Sequence, residues 1–226
     1  VFEFYKDQLP LMDWAGVSKV AGAAWDKYKV GNCTEREYWA EILQAMTDYY
    51  NNDSQCLPLQ LTVDDLIAFT LQNYRLYYQS LGIVERLKNR GYTVGILSNH
   101  TKEWFPPMFA RMKLHDLFTL PELVILSCDD AVKCAKPAEK IYEILVERVT
   151  QYHNAKYEGS EKNADSTPSI PAMCIIFVDD KKRNVIAAEK SCGGDKIKGV
   201  HFDASVHSPS VLVKALQEYG INANED

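Results

Sequence analysis

A chain of 226 residues suits one core of ordinary size, or a core carrying a smaller insert, and is short for two full domains. Its 46% apolar and 25% charged residues exclude a disordered chain, and a net charge of −6 speaks against broad nucleic-acid binding, which calls for a Lys/Arg-rich face. No stretch reaches the roughly 18 apolar residues that a membrane span needs.

In chain order, "VFEFYKD" is the one early stretch with strand character. Residues 11–80 then lack a convincing strand and carry long amphipathic runs instead, which predicts an all-helical insert. In "TEREYWAEIL", Thr34 and Glu37 have the spacing of a capping box, and Tyr38, Ile42 and Ala45 continue one apolar face. A further helix is expected over 62–80, with Leu66, Phe69, Thr70 and Tyr74 or Asn73 along one face. The aromatic residues Trp25, Tyr28, Tyr38, Trp39, Tyr49 and Tyr50 read first as helix packing and second as the lining of a pocket.

From residue 81 the pattern alternates between helix and strand, the signature of a parallel sheet flanked by helices. A helix over 82–91 stops on Gly91, and "YTVGILS" follows as a buried strand ending at Ser98. A helix near 102–112, a strand at 122–126 and a helix near 138–152 come next. The polar stretch 154–171 lacks periodicity and reads as a surface insertion. Strand 173–178, a helix at "RNVIAAEKS", strand "KGVHF" and a helix from Pro209 to Tyr219 complete the order. The expected division is therefore an α/β core of residues 1–10 and 81–226 with a helical domain at 11–80.

The six cysteines form no CxxC pair and have no histidine at zinc spacing, so they are expected to be reduced thiols in a reducing intracellular compartment. Because the sequence starts at Val1, a leader or further sequence upstream is expected to be missing; a basic, acid-poor leader would point to an organelle matrix, and its lack to the cytoplasm.

Ligands of such sheets bind beyond the carboxyl ends of the strands, which singles out three rim positions. Ser98 and Asn99 follow "VGIL", Lys136 lies in "CAKPAEKIYE", and Asp179 and Asp180 end "IIFV". A hydroxyl, an amide, an ammonium and paired carboxylates on one rim would suit a phosphate and a divalent cation. The two adjacent acids at a strand end are then expected to be compensated by that cation.

These stretches resemble the haloacid dehalogenase-like hydrolases over roughly residues 82–221. "GILSNHT" is similar to the second motif of that family, Lys136 to its third, and "IIFVDDKKRNVIAAE" to its fourth in the form seen in magnesium-dependent phosphatases. The resemblance implies a Rossmann-like parallel sheet with flanking helices and a helical cap inserted after the first strand. It also implies Mg2+ held by Asp179 and Asp180, Ser98 and Asn99 on the substrate phosphate, and Lys136 steadying phosphate and nucleophile.

The chain departs from the family at the first motif. Glu3 stands where the nucleophilic aspartate is expected, Tyr5 at the acid/base position and Lys6 where a small residue belongs. The extra methylene of glutamate displaces the attacking oxygen by about 1 Å, which can cost about 100-fold in rate, and lost acid/base help a further 10²- to 10⁴-fold. The expectation is an impaired hydrolase kept as an interaction or structural subunit of a larger assembly. The alternative is an active magnesium-dependent phosphatase of small phosphorylated metabolites.

Overall fold

The computed structural model describes residues 9, 12–51, 59–73, 77–158 and 174–224. Glu3, Tyr5 and Lys6, and most of the expected polar insertion, lie outside the described residues. The chain divides into two compact units: Val1–Leu76 with Asn99–Met112 and Cys128–Lys133, and Tyr77–Ser98 with Lys113–Ser127 and Cys134–Asp226. The division falls at 76/77, against the expected 80/81, and the helical unit also takes in two later segments.

The helical unit is built on α1 (Trp14–Tyr28), α2 (Glu35–Asn51), α3 (Val63–Asn73) and α5 (Phe105–Arg111). Each of the first three starts on a side chain that satisfies orphan backbone donors. The Asp13 carboxylate accepts from the Gly16 N–H at 3.1 Å. The Thr34–Glu37 box is closed in both directions, with Thr34 N–H donating to Glu37 Oε2 at 2.8 Å and Glu37 N–H to Thr34 Oγ1 at 3.3 Å. Thr62 and Asp65 repeat the arrangement before α3.

Val17, Ala21, Ala24 and Tyr28 bury one stripe of α1 against Tyr38, Trp39, Ile42 and Met46 of α2 and Leu66 of α3. Five rings pack edge to face, stacked or tilted: Trp25, Tyr28, Tyr38, Trp39 and Trp104, with contacting centroids 4.8 to 6.3 Å apart. The packing reading of these aromatics therefore holds for Trp25, Tyr28, Tyr38 and Trp39, whereas Tyr49 is exposed.

The second unit holds α4 (Tyr78–Asn89), β1 (Ile96–Ser98), β2 (Val124–Leu126), α6 (Glu139–Glu158), β3 (Ile175–Asp179), α7 (Lys182–Lys190), β4 (Ile197–His201) and α8 (Pro209–Glu218). Its strands pair in parallel as two separate two-stranded sheets, β1 with β2 and β3 with β4. In the registers, Ser98 lies opposite Leu126 and Asp179 opposite His201, so both pairs end on residues singled out from the sequence or on their neighbours.

Close approach makes these packings. A Cβ on Gly199 of β4 would stand 2.5 Å from Val185 Cγ1 of α7, so the glycine lets that helix settle on the strand. Ile83 of α4 joins Leu212 and Leu216 of α8 and Val200 and Phe202 in one apolar cluster. α6 turns Ile141 and Tyr142 fully inward. No described helix is long and apolar enough to cross a membrane.

Candidate functional site

Lys136 precedes α6, and its Nζ donates to two acceptors at once. One is the carbonyl oxygen of Leu97 in β1 at 2.6 Å, and the other is Oδ2 of Asp179 at the end of β3, at 2.7 Å. One ammonium thus ties together the carboxyl ends of strands that belong to different sheets. Both charged side chains are under a tenth exposed. The ammonium also stands 5.3 Å from the ring centre of Phe177, which shields it further.

Asp179 is held by three donors of the protein. Besides Lys136 on Oδ2, its Oδ1 accepts from the Lys181 N–H at 2.8 Å and from Asn184 Nδ2 at 2.9 Å. Three donors on one buried carboxylate satisfy most of its accepting capacity. The chain of contacts continues outward, because the Tyr142 hydroxyl donates to the Asn184 carbonyl oxygen at 2.8 Å. The Tyr142 phenol is held well above its ordinary pKa by burial, with the Asp179 charge adding to the effect, so it remains a donor.

Asp180 has different surroundings. Its carboxylate is half exposed and pairs with the Lys181 ammonium at 2.9 Å, while its carbonyl oxygen accepts from His201 Nε2 at 3.0 Å. Lys181 is held protonated above its ordinary range by its hydrogen bond to Asp180. The two adjacent acids therefore have separate fates: the first meets a lysine in a buried setting, the second a lysine at the exposed surface.

Ser98 ends β1 one residue after Leu97, and its carbonyl oxygen accepts from the Ser127 N–H at 3.0 Å. It belongs to the same unit as Lys136, Asp179 and Asp180, whereas Asn99 is the first residue of a segment of the helical unit. Lys136, Asp179 and the end of β1 are thus brought together, and Asp180 neighbours them on its own outward course. Glu3, the expected nucleophile position, lies outside the described residues.

The expected Mg2+ needs several oxygen ligands. Among the described residues no group of three or more His, Cys, Asp or Glu side chains is placed to hold a metal ion. Asp179 is already committed to three protein donors, so the described residues do not by themselves make a magnesium cradle.

Asn184 and Tyr142 escaped the reading of the sequence. A signal for Asn184 existed: it sits in the first turn of α7, five residues after Asp179, as a polar residue beside the buried Val185 and Ala188. Its Oδ1 is buried and has no hydrogen-bond partner among the described residues. Tyr142 offered no signal, since a tyrosine on an apolar helix face is ordinary core material. Compared with known proteins, the chain matches no protein-family model and no curated protein.

Proposed function

We propose that the chain is a haloacid dehalogenase-like hydrolase-fold protein, with a Rossmann-like core and a helical cap, in which phosphoryl transfer is lost or vestigial. It serves as an interaction or structural subunit of a larger assembly in a reducing compartment. The observation that carries this reading is the commitment of Asp179 to Lys136, Lys181 and Asn184 within the protein, which spends a catalytic-type acid on holding strand ends together. Glu3, Phe4 and Tyr5 in place of the first motif point the same way. The described cysteines are free thiols, which agrees with reducing surroundings.

A second reading, an active magnesium-dependent phosphatase of small phosphorylated metabolites, draws support from the unpartnered Oδ1 of Asn184 beside Asp179. That oxygen is of the hard type Mg2+ prefers, and Asp180 would add a carboxylate. Under this reading Lys136 holds the substrate phosphate and Ser98 donates to one of its oxygens.

A paired experiment separates the two. The subunit reading expects no magnesium-dependent hydrolysis of phosphate monoesters, together with recovery of the chain in a stoichiometric complex after gentle native purification. Hydrolysis that Asp179→Ala abolishes would end it.

A further inference from the structure

In the second unit, the segment that follows α8 is held as a peptide ligand would be. α8 is capped at Tyr219, and Gly220, with φ +75°, lets the chain reverse there. The Gly220 N–H returns to the Gln217 carbonyl oxygen at 2.9 Å and the Ile221 N–H to that of Leu216 at 3.0 Å. Ile221 to Asn224 then run outside any helix or strand and alternate in burial. Asn222 and Asn224 are exposed, whereas Ile221 is half-buried and Ala223 is fully buried, in one apolar cluster with Ile83 of α4 and Leu212 and Leu216 of α8.

Arg86 and Arg90, one helical turn apart at the end of α4, read the main chain of this segment. Arg86 Nε donates to the Ala223 carbonyl oxygen at 3.1 Å, and Arg90 Nη1 to those of Asn222 at 3.3 Å and Asn224 at 2.9 Å. Two guanidiniums thus bind three successive carbonyl groups, and their charge strengthens each bond. None of these three bonds uses a side chain of the segment, so the residue that the contact selects is Ala223, by its size. Main-chain bonds combined with a buried alternate side chain are how extended peptides are recognised.

We propose that Ile221–Asn224 is a separable latch, a peptide ligand held in cis on α4, and that the site it fills takes an extended peptide with a small residue where Ala223 stands. Gly220 is the pivot on which the latch swings. The tether keeps the segment at an effective concentration of about millimolar, which shuts the site to the same peptide at lower concentration in solution. The latch rests on α4 and α8 alone, independent of either reading of the rim.

The test titrates the full chain against a fluorescein-labelled peptide of residues 219–224 and reads fluorescence anisotropy. In Ala223→Trp the indole does not fit where a methyl group is fully buried, so the tethered segment leaves the site. Saturable binding of the peptide to this variant is expected, at least about tenfold tighter than to the unaltered chain. Adding Arg90→Ala should weaken it about tenfold, and a peptide carrying Ala223→Leu should not bind. Ala223→Val is the milder second variant, and far-UV dichroism checks the fold of each. Equal binding to the unaltered chain, no saturable binding to a folded variant, full affinity after Arg90→Ala or equal binding of the Ala223→Leu peptide would overturn the proposal. So would loss of the folded dichroism in both Ala223 variants, which would make the segment an inseparable part of the core.

Discussion

Lys136 and Asp179, 43 residues apart in the chain, meet as ammonium and carboxylate at 2.7 Å in a buried setting. Their pairing replaces the solvent that each charge loses, and it fixes the end of β3 against the end of β1 through the same ammonium.

Asp179→Asn removes the carboxylate that the buried Lys136 ammonium meets, and a loss of about 3 to 5 kcal/mol is expected. Lys136→Met should cost a similar amount. The double variant Lys136→Met/Asp179→Asn should recover much of it, because neither charge of the pair then remains. Chemical denaturation of the four proteins measures the cycle; strictly additive losses would show that the pair does not act as a unit.

Asp180→Ala should behave otherwise. Its partner Lys181 is well exposed, so a loss under about 1 kcal/mol is expected in the same denaturation series. A loss as large as that of Asp179→Asn would contradict the division of the two acids into inner and outer roles.

His100 lies in the stretch that gave the second-motif resemblance, and burial pushes its imidazole down to about 4; its Nδ1 accepts from the Thr101 N–H at 3.0 Å. The folded pKa lies below that of the unfolded chain, near 6.5. The unfolded state thus takes up a proton first as pH falls. The stabilising contribution is complete above about pH 6.5 and declines toward pH 4. Proton NMR should find the His100 resonances titrating near 4, and His100→Gln should flatten the fall in stability between pH 6.5 and 4.5. A midpoint near 6.5 would contradict the burial argument.

Gly95 precedes β1, and an added Cβ would stand 2.7 Å from the Leu123 carbonyl oxygen, a backbone atom that cannot swing aside. Gly95→Ala should cost about 1 to 3 kcal/mol through forced separation of the β1 and β2 segments. A neutral result would mean that the two segments approach less closely.

The sequence was informative where local chemistry decides. Thr34 and Glu37 announced the start of α2, and Tyr38, Ile42 and Ala45 are all buried as their spacing required. The rim residues Lys136 and Asp179 were found from their places after strands, and they do meet.

What stayed hidden depends on distant partners. β1 was expected over 92–98 and is confined to Ile96–Ser98, because pairing to β2 covers only those three residues. Asp179 meets the Lys136 ammonium, 43 residues earlier in the chain, a pairing no local pattern reveals. Asn184, which steadies the other carboxylate oxygen, looked like one more polar residue of an amphipathic helix.

The central claim, that the rim formed by Lys136 and Asp179 is retained as structure while phosphoryl transfer is lost, is tested most directly by turnover. The full chain and its Asp179→Ala variant would be assayed side by side against a panel of phosphate monoesters with millimolar magnesium. The account predicts indistinguishable rates for the two, at least about 10⁴-fold below the roughly 10 s⁻¹ typical of enzymes. Magnesium-dependent hydrolysis near that typical rate in the unaltered chain, absent in Asp179→Ala, would contradict it.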